Sequence, residues 1–381
     1  MQKYFLSSRI VAAIMILFFT GCKDPYYPEV KSSTAHYLVV EGFINPEGTT
    51  NIRLTRTRAI SKGDTASYIN ETGAAVFIED NNGNVYPLYD NGSGYYSAGY
   101  FLNANFLYRL HITTKDNRQY ISAFVPCKNS PAIDEVGWKL NDKDVQLFVS
   151  SHDESNQTKF YRWDFVQTWE FHSQYYSSLV YDPDSKTVVN RTYPVFVCYR
   201  TNGSSQVFIG SSEKLARDVI HEAPLELIPY HDRRISVLYS ALITQYALDS
   251  AGYNYWNAMK GNTEQTGSIF GSQPNQTKGN IHNISDSSET VIGYIGAGSI
   301  RQKRIFISNA DMPPGWNQLR NCTEYRVPLD SLDYYFGGNI YIPYASDPPN
   351  SPRPQAYFGA SPSCVDCRLA GGTLDKPVFW P

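Results

Sequence analysis

Cysteine carries most of the chemistry this sequence can offer. Six are present, at positions 22, 127, 198, 322, 364 and 367. If Cys22 is consumed at a processed amino terminus, the rest are odd in number in a chain bound for an oxidising compartment, so one thiol stays free or pairs outside the chain. Cys364-Val365-Asp366-Cys367 has redox spacing. A reactive pair, however, needs a strand-to-helix junction whose helix terminus stabilises a thiolate. Here Ser361-Pro362-Ser363 precedes the motif and Gly371-Gly372 soon follows it. A structural disulfide is expected, joining Cys322 to Cys364 or Cys367 and closing a loop of about 42–45 residues, which stabilises by roughly 4 kcal/mol. A cysteine-only zinc site would draw ligands from scattered segments exposed to oxidation, so no metal is expected.

The other constellations fall away on spacing. The histidines, at 36, 111, 152, 172, 221, 231 and 282, form no His-Glu-x-x-His; after His221-Glu222 the second position is Leu225. No Gly-x-Ser-x-Gly elbow exposes a nucleophilic serine. Gly296-Ala297-Gly298 meets Arg301 where a dinucleotide loop needs its third glycine, and the next segment reads as a strand, not as a phosphate-holding helix. Glu79 to Gly83 lacks the spaced acids of a calcium loop and reads as a hairpin turn. No catalytic residue and no cofactor are expected, and the chain is not expected to be an enzyme.

Cys22 itself has a defined use. Lys3 and Arg9 precede the apolar run Ile10 to Phe19, about half the roughly 20 residues a spanning helix needs. Residues 1–21 therefore read as a signal peptide. Phe19-Thr20-Gly21-Cys22 is similar to a bacterial lipobox, in which the cysteine receives diacylglycerol. Three acyl chains, at about 0.8 kcal/mol per buried methylene, hold a protein on a bilayer without spanning it. Residues 22–35, with Pro25, Pro28 and a Lys-Ser-Ser-Thr stretch, read as a flexible tether.

The elements that follow are strands. Between Tyr37 and Val125 short apolar alternations are separated by Asn82-Gly83, Asn91-Gly92 and Asp116-Asn117, all tolerant of the positive φ of tight hairpins. Phe106, Tyr108, Leu110 and Ile112 alternate with Leu107, Arg109 and His111, as a strand with one core face requires. Residues 36–128 are expected to form an N-terminal β-sandwich. Pro126 and Pro131 bracket a boundary. Beyond it, Tyr161, Trp163, Phe165, Trp169 and Phe171 share one parity, while Arg162, Asp164, Thr168 and Glu170 share the other. Residues 129–312 read as a second, fibronectin-like sandwich, with a helical insertion near 249–284 and VIGYIGAG and KRIFIS returning to its sheet. Short helices are expected from Ser211 to Ile220, through Leu215 and Val219, and after Asp249, through Tyr253, Trp256 and Met259. Residues 313–381, rich in Pro, Gly, Tyr and Asn, are expected to be irregular and held by disulfide. The fold class is mainly β, two tandem immunoglobulin- or fibronectin-like sandwiches.

Composition narrows the function. Hydrophobic residues at 42% against 18% charged can build cores and exclude global disorder, collagen and coiled coil. The formal charge of −3, with no basic stripe, excludes nucleic acid as a partner. Tyrosine, at 30 residues, exceeds what two cores need. Amphipathic rings suit binding of peptide, glycan or protein. The candidate contacts are Trp256, Trp316, Tyr334 and Tyr335, in the insertion and the C-terminal segment; Trp163 and Trp169 read as core.

The ordered blocks VVEGFI, GAAVFIED, GYYSAGY, LYRLHITTKDNRQYIS, FYRWDFVQTWEF, GSIFGSQPNQTKGNI, VIGYIGAG and CVDCRLAGGTLDKPVFWP resemble the Bacteroidota lipoprotein family known as domain-of-unknown-function family 4249. The resemblance spans nearly all of the mature chain. It implies an outer-membrane-associated lipoprotein often encoded beside a TonB-dependent receptor, and it brings no catalytic residues. Lys23-Asp24 resembles in part the export signal that sends such lipoproteins to the cell surface. The expectation is a non-enzymatic accessory partner of a TonB-dependent transporter, anchored in the outer membrane. The alternative is a surface glycan-binding or adhesion lipoprotein.

Overall fold

The computed structural model describes residues 36–58, 68–264, 278–317 and 322–381. Alternating burial builds the first sandwich. In the strand Leu107–Thr113, Tyr108, Leu110 and Ile112 are buried, while Arg109 and His111 both reach Glu79 on the adjacent Ala75–Asp80 strand. The strands Leu38–Ile44, Glu47–Thr57, Tyr95–Phe101 and Val85–Asp90 continue the antiparallel ladder to Ala75–Asp80 and Leu107–Thr113. Leu38, Val40, Ile52, Leu54, Val76, Ile78 and Tyr96 fill the interior.

The boundary read from the sequence needs correction. Residues 281–298 return to the first sandwich, not to the second. Ile281–Asn283 pairs with Gln119–Ser122, and Val291–Ile292 and Gly296–Gly298 run parallel to Leu38–Ile44. Gly296–Gly298 also pairs with Val125–Lys128, which meets Leu107–Thr113, so the ladder closes on itself. Ile281, Val291, Ile295 and Ala297 lie in this core. Cys127, on the closing strand, is the free thiol among the described residues. Burial pushes it up to about 11, so it stays protonated and a poor nucleophile.

One close approach depends on glycine. Gly293 has φ +139°, and a Cβ there would lie 2.1 Å from the Val40 carbonyl oxygen. Neither the conformation nor the contact admits a side chain. Gly293→Ala should therefore destabilise the chain by about 1–3 kcal/mol through strain and forced displacement. Urea unfolding followed by tryptophan fluorescence checks this, and an unchanged midpoint would contradict it.

The second sandwich has two facing sheets. One contains Ile133–Asn141, Asp144–Asp153 and Asp218–Ile228; the other orders Val197–Gly203, Phe160–His172, Leu238–Leu248 and Ile300–Ser308. The odd-numbered face of Phe160–His172 supplies Tyr161, Trp163, Phe165, Trp169 and Phe171 to the core, against Val145, Leu147, Val149 and Ile243. Burying these apolar faces provides the drive to pack the sheets. No helix forms from Ser211 to Ile220. Leu215 and Val219 are exposed, Asp218 instead accepts hydrogen bonds from the buried Tyr161 and Ser212 hydroxyls, and a strand begins at Asp218. An apolar pair that finds no core cannot hold an amphipathic helix.

The C-terminal segment is more regular than expected. Glu324–Pro328, Ala356–Ala360 and Ile342–Asp347 form a small antiparallel sheet over Val327, Leu332 and Phe336. Cys322 bonds Cys364, while Cys367 bonds Cys198 in the second sandwich. The chain end then lies along that sandwich: Thr373 exchanges backbone bonds with Tyr199, and the Trp380 indole donates to Glu170 at 3.0 Å.

Candidate functional site

A cavity of about 580 Å³ lies where the outer face of the Phe160–His172 strand meets the first sandwich. It is positioned by the even parity of that strand, which turns Arg162 and Asp164 away from the core. The first sandwich contributes Glu41, Phe43, Arg53 and Tyr95, and the loop Ser204 to Val207 closes one side. That loop is fixed where the Ser204 N–H donates to the Phe165 carbonyl at 2.8 Å. A second cavity of about 550 Å³ adjoins across Ser205 and Gln206, which line both.

The helix Ser250–Glu264 covers the cleft. Asp249 caps it, accepting the Gly252 N–H at 2.8 Å and the Tyr294 hydroxyl at 2.9 Å. The helix is thereby tied to the segment returning to the first sandwich. Tyr253 stacks on Phe160 at 4.8 Å, and Tyr255 lies 5.5 Å from Tyr294. Burial raises the Tyr246 and Tyr294 hydroxyls and pushes Tyr255 up to about 12, so all three remain neutral donors.

Two arginines stand over aromatic rings inside this frame. The Arg162 guanidinium lies 4.3 Å from the Tyr246 ring and 4.2 Å from the Trp256 ring, and its Nη2 donates to Asp164 at 3.1 Å. Arg53 lies 4.7 Å from Tyr68 and 5.4 Å from Tyr95, with Nη1 donating to Glu41 at 3.3 Å. Cation–π contacts with two rings each restrain where the guanidinium groups sit. Yet Arg53 Nε, Arg162 Nε and Asp164 Oδ1 have no partner, and they are three of the five such buried side-chain atoms among the described residues. Two aromatic-clamped cations, two carboxylates and an apolar rim can bind an organic ligand in a volume typical of such sites.

The residues singled out from sequence disperse. Trp256 lines the cleft, half-buried. Trp316 does not form a surface platform: it is 2% exposed, packed edge-on to Tyr230, with its indole donating to the Asp232 carbonyl. A long apolar ring next to Tyr230 and Met312 gains more from the second core than from water. Tyr334 is 68% exposed and Tyr335 packs against Tyr325 and Tyr341, both in the C-terminal module and away from the cleft. Cys322, Cys364 and Cys367 are all in disulfides. Cys22 lies outside the described residues. Arg53, Glu41, Arg162 and Asp164 carried no functional signal in the sequence beyond the charged parity of one strand.

A family model described as "Domain of unknown function (DUF4249)" matches residues 23–304. No curated protein matches the chain. Among solved structures, a two fibronectin type-III domain segment from chicken tenascin is similar at 12% identity, over 55% of this chain and 90% of that one, with a TM-score of 0.16. The sandwich architecture rests on the sheets themselves.

Proposed function

The chain belongs to the DUF4249 family, a membership that names no activity, and we propose that it is a non-enzymatic binding protein, lipid-anchored in the outer membrane through Cys22 and partnered with a TonB-dependent transporter. The observation that carries the binding part is the cleft between the sandwiches, where clamped arginines retain unused donors. Binding is favoured over catalysis because Glu41 and Asp164 are each already engaged by an arginine. The anchor and the partner rest on the lipobox-like Cys22 and the family resemblance. A tether raises the local concentration of captured ligand beside a membrane transporter without a tight soluble complex.

The test is fractionation and copurification of the tagged, full-length chain. It should sediment with outer membranes and bring down a barrel, and Cys22→Ala should move it to the soluble fraction. Unchanged sedimentation of Cys22→Ala ends the anchor, and a lipidated chain that never recovers a barrel ends the partnership. A second reading, a glycan-binding or adhesion lipoprotein, draws on exposed Tyr334 beside Tyr335, which in turn packs on Tyr325. Glycan-array binding lost in Tyr334→Ala would favour it.

A further inference from the structure

We infer that the cleft between the two sandwiches takes a short peptide with free termini, its carboxylate meeting the Arg162 guanidinium edge and its amino group meeting Asp164. This rests on the ligand-binding reading and names the ligand class.

Charge balance comes first. Two arginines and two carboxylates line the cavity, so its formal charge cancels. A polyanion brought there meets Glu41 and Asp164 as well as the cations. A neutral ligand leaves the arginine Nε–H groups without an ionised acceptor. A zwitterion offers both signs, as the site does. The orphaned atoms agree, because Arg53 Nε and Arg162 Nε are donors while Asp164 Oδ1 is an acceptor. On Asp164 the other oxygen is already bonded to Arg162, so donor and acceptor belong to one connected pair on alternate residues of one strand. A carboxylate and an amino group joined through a short backbone can address such a pair together.

Two of the lining rings are already engaged by a cation. Saccharides dock by laying an apolar ring face on an aromatic one, but the Arg162 guanidinium stands over both Tyr246 and Trp256. Those faces hold the cation. Phe43, Val39, Met259 and Ile300 remain along the lining for an apolar side chain, and the volume matches pockets that enclose small organic ligands. A guanidinium restrained by two rings reads planar carboxylate geometry, whereas a lysine would present only a point charge.

The experiment is isothermal titration calorimetry of the full-length, lipidated chain in detergent. The probes are glycyl-phenylalanyl-glycine, its C-terminal amide, its N-acetyl form and a trigalacturonate. The free peptide should bind, each capped form should bind about 10- to 100-fold more weakly, and the uronate should not bind measurably. Arg162→Gln and Arg162→Lys should both weaken the free peptide by about 10-fold or more, each still giving one cooperative urea transition that shows a folded chain; Arg53→Gln gives an independent variant. Equal binding of free and amidated peptide overturns the proposal. So does Arg162-dependent uronate binding, which would keep the cleft as the ligand site and change the ligand class. Absence of peptide binding in a chain that still copurifies a barrel overturns the peptide alone and leaves the partnership standing.

Discussion

Replacing Cys198 and Cys367 together by alanine should lower the unfolding free energy of the second sandwich by about 5 kcal/mol, the chain-entropy value for this separation. The bridge spans 169 residues, against 42 for Cys322–Cys364, whose removal should cost about 4 kcal/mol. Both residues of the long bridge are fully buried, and Gly372 fits so closely that a Cβ there would lie 2.5 Å from that of Cys198. The pair joins the edge strand Val197–Gly203 to the segment carrying the chain end. Urea unfolding of the oxidised variants, read by tryptophan fluorescence, measures the two losses. A larger loss from the short bridge than from the long one would show that strain or residual denatured structure, not loop closure, dominates. Reductant added to the unmodified chain should reproduce the combined effect.

Trp163→Ala should cost about 3–5 kcal/mol, the range for truncating a buried large aromatic. Its ring is 2% exposed and stacks on Tyr161 at 5.7 Å, and a Cβ at Gly210 would stand 2.7 Å from it. The indole donates to Gln245 Oε1 at 2.8 Å, while Gln245 Nε2 donates to the Pro131 carbonyl at 2.9 Å and to Ser151 at 3.1 Å. Removing the indole thus leaves a cavity and an unsatisfied amide oxygen together. Trp163→Phe retains most of the ring and loses the donor, so a smaller cost of about 1–3 kcal/mol is expected. Val166→Ala, on the exposed face of the same strand, should stay within about 0.5 kcal/mol of the unmodified chain. If all three variants unfold at one midpoint, this strand does not build the core.

That strand also shows how far the sequence could be read. Its two-residue period separated Trp163 and Phe165 from Arg162 and Asp164 correctly, because alternation is a local property of extended backbone. Periodicity says which face turns away from a core and nothing about what covers it. Arg162 and Asp164 share the outward parity, yet the first sandwich and the Ser250–Glu264 helix cover most of Arg162, and Asp164 stands at the cleft with its side chain 42% exposed. The helix itself was legible from Asp249 as a capping residue. The strand at Asp218 was not, because Leu215 and Val219 mimic a helical stripe whose failure depends on burial elsewhere. The return of residues 281–298 to the first sandwich hangs on parallel pairings with Leu38–Ile44. Nothing within such short segments encodes a partner so distant in sequence. Trp316 misled because an isolated tryptophan in a proline-rich stretch looks the same whether it faces water or Tyr230. Loop length left Cys322 open to Cys364 or Cys367, and the choice of Cys364 was settled only because the tertiary course of the C-terminal segment takes Cys367 to Cys198.

The parallel pairing of Ala297 with Cys127 and Gly298 with Lys128 has a mechanical meaning. Immediately past it both segments cross into the other sandwich side by side, stitched where the Ser130 N–H donates to the Ser299 hydroxyl at 2.8 Å. A single linker is a swivel; here the chain also passes between the lobes by way of the Ser250–Glu264 helix, so torsion of one lobe on the other is opposed at more than one point. Neither lobe can be excised by one cut, and the lobe begun at Leu38 stays unfinished until the polypeptide has been made through Gly298. The width of the cleft at the seam is therefore set by pairings that form as the chain folds.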